Sequence, residues 1–271
     1  MRGSILFTMA FLLLLGGCAG AQFRLPQVSD ADVNSAALTV AGDTSKLGSI
    51  VRTPEESRRL VDTAAKRLQS AAPALCAQAG RKDCSFRIWY VEDGTVNATT
   101  DVDGTIRIYR GLLRYLETEE EVAAVIGHEM GHHIADHVEE TQTNATIGAT
   151  IGAILGAGLL GAAGCYSGPY CNPSDTQTLV RQSAELGAEL GQISFSKEQE
   201  READLIAAYL LARAGYDLDK AGRLFAVLSR MSDKTQASLF DTHPAGPERV
   251  AAWEKAKAEV AASPDRLPLQ P

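Results

Sequence analysis

Five histidines occur in the 271 residues, and four of them, His128, His132, His133 and His137, crowd into one short stretch. Within it, His128-Glu129-Met130-Gly131-His132 sets two imidazoles four positions apart. On a helix they share a face one turn apart, so both can reach one metal ion. Glu129 is rotated by about 100° from His128 and falls beside that ion, where a carboxylate can hold an attacking water and take its proton. A catalytic zinc keeps three protein ligands and one open position. The third ligand is expected from Glu200, in Glu200-Arg201-Glu202-Ala203-Asp204 on a separate helix. Asp204, one turn further on, can then accept the distal N–H of a zinc-bound imidazole and fix its tautomer. His133 and His137 fall at about 140° and 180° from His128 and read as packing or surface groups. Asp136 is either a partner of His132 or a solvent-facing carboxylate.

These residues need rigid elements to hold them. Thr118-Glu119-Glu120-Glu121 is a capping box and predicts a helix that carries the histidines and runs to about Glu140, with no proline to stop it. Ser196-x-x-Gln199 predicts a second helix, which carries Glu200 and Asp204 and stops at Gly215. Amphipathic spacing predicts a helix over 54–79, and further helices are expected over 219–231 and 247–261. Alternation over Phe86–Val91 and Thr105–Tyr109, with turns at Asp93-Gly94 and Asp103-Gly104, predicts a small antiparallel sheet. Asn97–Thr100 is expected to add a short strand whose free edge could receive an extended peptide.

The flanking segments speak of location. Arg2 followed by the apolar stretch Ile5–Leu15 has the length of a signal peptide rather than a span. Leu15-Gly16-Gly17-Cys18 ends it as a lipobox does, so residues 1–17 are expected to be cleaved and Cys18 lipidated. Residues 18–48 lack helical or strand periodicity and read as a tether, with the peptidase domain over 49–262 and a tail over 263–271. Export implies an oxidising compartment, so Cys76 with Cys84 and Cys165 with Cys171 are expected as local disulfides. The net charge of −8 offers no basic face for nucleic acid. Over 147–164 runs an uncharged insert with Gly148, Gly152 and Gly156 at four-residue spacing. Three readings of it compete: a transmembrane helix, a buried or lid-like insert, and a membrane-surface segment.

With His137, Glu200-x-x-Ala203-Asp204, Asn97-Ala98, Gly111-Leu112-Leu113 and Thr242-His243-Pro244 followed by Arg249, the order of motifs resembles the gluzincin metallopeptidases. That family includes the CAAX prenyl proteases and the HtpX-like and Oma-like proteases, and the similarity is strongest to its exported, LoiP- and BepA-like lipoprotein branch. The resemblance covers about 49–261. It implies an α+β, mainly helical zincin-like fold with the small sheet beside the HExxH helix. It also implies substrate binding at Asn97 and Ala98, a further substrate contact at Arg249, and His243 close to the metal. There His243 would either donate to the developing oxyanion or close the fourth zinc position and hold the site latent. The membrane spans of the prenyl proteases and the helical repeats of BepA-like members are not expected here.

The sequence is therefore read as a zinc metalloendopeptidase. It would act on unfolded or misassembled polypeptides at the periplasmic face of an outer membrane, held there by lipid. The rival reading is an outer-membrane assembly factor whose zinc site is largely latent.

Overall fold

The computed structural model describes residues 21–43, 46–162, 173–191, 194–232 and 239–271. Cys18, Cys165 and Cys171 lie outside the described residues, whereas Cys76 and Cys84 form a disulfide with their Cα atoms 6.0 Å apart. In chain order the elements are α1 (Asp30–Gly42), α2 (Pro54–Gln78), β1 (Arg87–Val91), β2 (Ala98–Thr100), β3 (Thr105–Tyr109), α3 (Arg110–Leu113), α4 (Glu119–Ile134) and α5 (His137–Ala162). They continue with α6 (Pro173–Gly191), α7 (Lys197–Arg213), α8 (Leu218–Ser232), α9 (Leu239–Thr242) and α10 (Pro247–Ala262). The result is a mainly helical α+β fold with one small sheet.

Capping boxes start the helices that matter most. Thr118 takes the Glu121 N–H while the Glu121 carboxylate returns to the cap, and Ser196 and Gln199 do the same for α7. Gly215 closes α7 at φ 77°, a left-handed position that favours glycine. All of α4 from Glu121 to Ile134 is buried, because α2, α7 and α8 cover it. It crosses α7 at very short range. A Cβ on Gly131 would lie 2.6 Å from the Ala203 carbonyl oxygen, and one on Gly127 would lie 2.9 Å from Leu211.

Four expectations are corrected. The sheet is mixed rather than antiparallel, in the order β1-β3-β2, with β1 parallel and β2 antiparallel to β3. Ile106 and Ile108 are wholly buried, as befits the strand at the centre. Asp93-Gly94 is not a hairpin turn. The Asp93 carbonyl accepts the Gly111 N–H, and residues 94–95 pack directly on Gly111, where no Cβ fits. Secondly, the histidine helix does not run on to Glu140. It stops at Ile134, and Asp136 at φ 65° redirects the chain into α5. Thirdly, part of the tether folds: Ser29 and Asp32 cap α1, and Phe23 is buried in the core. With Ala36 alone buried, α1 has no apolar stripe for periodicity to reveal. Lastly, of the three readings of 147–164, burial is not met by most of the large side chains of its described residues. α5 pairs with α6 in a hairpin and exposes Ile147, Ile151, Ile154, Leu155 and Leu159.

The α4–α7 crossing has a direct test. Gly131→Ala should lower stability by about 1–3 kcal/mol, the usual cost of overpacking, because backbone rather than a flexible side chain must move. Gly158→Ala, with nothing within 4 Å of the added Cβ, should be neutral or slightly stabilising. Urea unfolding of both variants checks this, and equal midpoints would remove the constraint.

Candidate active site

Because α4 and α7 approach backbone to backbone at Gly131 and Ala203, their inward faces meet in one buried cluster. His128 Nε2 lies 3.1 Å from His132 Nε2, and Glu200 Oε1 lies 3.1 Å from His132 Nε2. His243, in the turn after α9, completes the group: its Nδ1 is 2.9 Å from Glu200 Oε1 and 3.2 Å from His128 Nε2. One ligand atom from each of these four residues lies within 4.8 Å of the others, and all four residues are buried. Three imidazoles and one carboxylate at this spacing are donors that suit a tetrahedral zinc site. Glu129 is buried beside them with Oε1 3.7 Å from His243 Nε2, and its Oε2 has no hydrogen-bond partner among the described residues. A buried, unsatisfied carboxylate oxygen is costly unless a water or ion answers it, so these residues fit the metal that their types imply.

Each metal-facing imidazole is held from behind. His128 Nδ1 is 2.8 Å from Asp204 Oδ1, so an Nδ1–H donated there leaves Nε2 free for a metal. His132 Nδ1 is 3.0 Å from His137 Nδ1, and His137 Nε2 is 3.1 Å from Glu202 Oε2. Assigning tautomers along this network, His132 donates to His137 and His137 donates to Glu202. The other Glu202 oxygen accepts the Phe23 N–H at 2.7 Å. On the opposite side Phe195 stacks on His132, with ring centroids 3.8 Å apart.

The electrostatics follow from this crowding. Burial and the neighbouring His128 push the His132 imidazolium well below its ordinary range, which keeps it neutral. Burial opposes ionisation of Glu200, but Arg249, His243 and His128 together hold its carboxyl well below normal. Burial also works against a charged His243, yet the Glu200 and Glu129 carboxylates raise it above its ordinary value.

Of the residues expected at the site, His128, Glu129, His132, Glu200, Asp204 and His243 are brought together. Ala98 lines a cleft of about 530 Å³ that also contains Glu129 and His243, with the base of α5 across it. Asn97 lies at the head of β2, its Oδ1 accepting the Ala98 N–H at 3.0 Å. Arg249 is not at the cleft, which corrects the expected substrate contact. It is buried behind the cluster, where Nε and Nη2 donate to the two Asp204 oxygens at 2.8 and 2.7 Å and Nη1 lies 2.5 Å from Glu200. His137 is also corrected from a packing or surface group, because the turn at Asp136 swings it back beside His132. Asp136 itself pairs with Arg81 and Gln22, away from the metal-facing atoms. Sequence reasoning missed Glu202, Phe195 and Phe23. Glu202 sits in an acidic run that looks solvated, and the other two carry no spacing signal.

Comparison with known proteins agrees with this geometry. The chain is 30% identical to the metalloprotease LoiP of Escherichia coli (strain K12) over 257 residues, covering 91% of this chain and 93% of that one. It is 27% identical to the mitochondrial metalloendopeptidase OMA1 of Arabidopsis thaliana, over 61% of this chain and 30% of the relative. It is 28% identical to the beta-barrel assembly-enhancing protease of Escherichia coli (strain K12), over 68% of this chain and 37% of the relative. The family description "Peptidase family M48" matches residues 62–257, and with the buried His128-Glu129-x-x-His132 and Glu200 group this makes the chain a member of the M48 metallopeptidases.

Proposed function

We propose that this metallopeptidase is a zinc endopeptidase of the bacterial envelope that cleaves unfolded or misassembled polypeptides and rests in a latched state. The observation that carries the reading is the single buried cluster of His128, His132, Glu200 and His243 with Glu129 alongside. His128, His132 and Glu200 would hold the zinc, which supplies Lewis acidity to water and to the scissile carbonyl. Glu129 takes the proton of the attacking water and passes it to the departing amine. Asp204 and the His137–Glu202 pair keep both imidazoles turned toward the metal.

Substrate alignment falls to β2. Its bonds to β3 run through Asn97 and Asp101, so the edge at Ala98 and Thr100 is the one left open toward the cleft. An open edge accepts an extended strand, and only unfolded or poorly assembled chains offer one. His243 Nδ1 lies 3.2 Å from His128 Nε2 and its Nε2 3.7 Å from Glu129, so with zinc held by His128, His132 and Glu200 this imidazole would take the remaining position and keep water out until that turn moved. The geometry thus favours the latch over a permanent oxyanion role. The lipobox at Cys18 supports anchoring by lipid, which this reading puts at the periplasmic face of the outer membrane. The rival reading, an assembly factor with a mostly silent site, shares the latch and differs in whether cleavage matters.

Glu129→Gln should bind zinc with parental stoichiometry and lose peptide hydrolysis, because the ligands stay and the base goes. Metal analysis beside cleavage of an unfolded casein substrate checks this, and parental turnover would reject the mechanism. Glu202→Gln should weaken zinc binding by about 10–100-fold, as loss of a hydrogen bond behind a ligand usually does, read by competition with a chromogenic chelator. Unchanged affinity would make the His137–Glu202 pair incidental. His243→Ala should raise basal hydrolysis by about tenfold or more if the open state is a minor one. A clear fall instead would assign His243 to the transition state.

A further inference from the structure

The α5–α6 hairpin buries little of what it is made of. Its two helices hold each other through small residues: a Cβ on Gly148 would lie 2.1 Å from the Gly187 carbonyl oxygen, and one on Gly152 would lie 2.0 Å from that of Ser183. That self-sufficient seam leaves the large side chains outside it. Ile154, Leu155 and Leu159 are 64%, 62% and 65% exposed, and Ile147, Ile151 and Leu186 are also exposed. Ile147, Ile151, Ile154 and Leu155 fall within about 100° of one another around α5, so they form one stripe. On α6, Leu179 and Leu186 share a face, while Arg181 and Glu185 form an ion pair on roughly the opposite one. No charged residue occurs from Thr141 to Ser174.

A contiguous exposed apolar patch of this kind marks an interaction surface. We propose that it is occupied by a lipid bilayer, with the hairpin lying in the plane of the interface, its isoleucine and leucine stripe in the acyl boundary and Arg181 and Glu185 toward water. Three observations favour lipid over a second protein. His137–Leu160 is long and apolar enough to cross a membrane by length and composition, with 17% of its most apolar window buried. On α6 the Arg181–Glu185 pair lies opposite the exposed leucines, and a polar face set against an apolar one belongs to an interfacial rather than a spanning element. The described chain start meets the base of the hairpin, where the Gln22 side chain donates to the Ala135 carbonyl at 3.2 Å, and only four residue steps, about 14 Å of chain when fully extended, join Gln22 to the expected lipid site at Cys18. With a net charge of −8 the attraction is apolar and not electrostatic, so it persists in high salt.

This inference does not depend on the peptidase chemistry, and its test is separable from it. In the full lipidated chain, Leu155→Trp in vesicles of phosphatidylethanolamine and phosphatidylglycerol should be blue-shifted. Acyl-brominated lipid should quench it, whereas Arg181→Trp should match the parent. Equal behaviour of the two positions would overturn the proposal. The chain from Ala19 onward, which keeps every described residue, should float with the same vesicles in high salt. Ile151→Lys combined with Leu155→Lys should weaken that binding by about 100-fold, with peptide cleavage in solution unchanged as the check on folding. A dimer in solution that these lysines dissociate, without vesicle binding by the parent, would reassign the stripe to a second copy of the chain.

Discussion

The site rests on how closely two helices can approach. Gly131 meets the backbone of Ala203, and Gly127 meets Ala207 and Leu211, so α4 and α7 cross with almost nothing between them. Only that separation lets a short glutamate side chain from α7 reach His132 on α4. The two motifs are therefore not independent features that happen to meet. Gly131, at an unspecified position of HExxH, and Ala203, beside Asp204, carry the contact that makes the histidines and the glutamate one site. The same crossing sets Asp204 behind His128 and Glu202 behind His137.

Bringing so many acids out of water needs compensation. Glu129, Glu200, Glu202 and Asp204 are all buried, and isolated buried carboxylates are strongly disfavoured. Arg249 provides most of the answer, reaching in from α10 to bind Asp204 with two nitrogens and Glu200 with the third. A planar fork suits that task better than an ammonium would. Removing a single member of such a network leaves an uncompensated charge, so α10, though far from the cleft, is coupled to it. Glu202 is compensated differently, by one imidazole and one backbone N–H.

Much of this was legible in the residues. Four-residue spacing showed which histidines share a face, and the caps at Thr118 and Ser196 located both site helices, because these signals are local. What escaped depends on distant contacts or on one dihedral. Asp136 takes a left-handed conformation that asparagine and aspartate tolerate but rarely announce, and that one angle moves His137 from the far side of a helix to the metal ligand. Parallel pairing of β1 with β3 could not be read from alternation, which is the same in either sense. The folding of residues 21–42 was hidden because Phe23 contributes as a single buried ring and α1 has almost no apolar face.

The hydrogen bond from the Phe23 N–H to Glu202 also concerns timing. A chain is made from its N-terminus, so Phe23 and the three residues of His128-Glu129-x-x-His132 appear well before Glu200, Glu202, His243 and Arg249. No partial length of the nascent polypeptide can hold the complete group. Until α7 has been synthesised, Phe23 has no acceptor and His137 no carboxylate; until α10 follows, Asp204 has no guanidinium. A hydrolytic centre spread this widely along the chain is kept incomplete by its own connectivity for as long as the protein is unfinished.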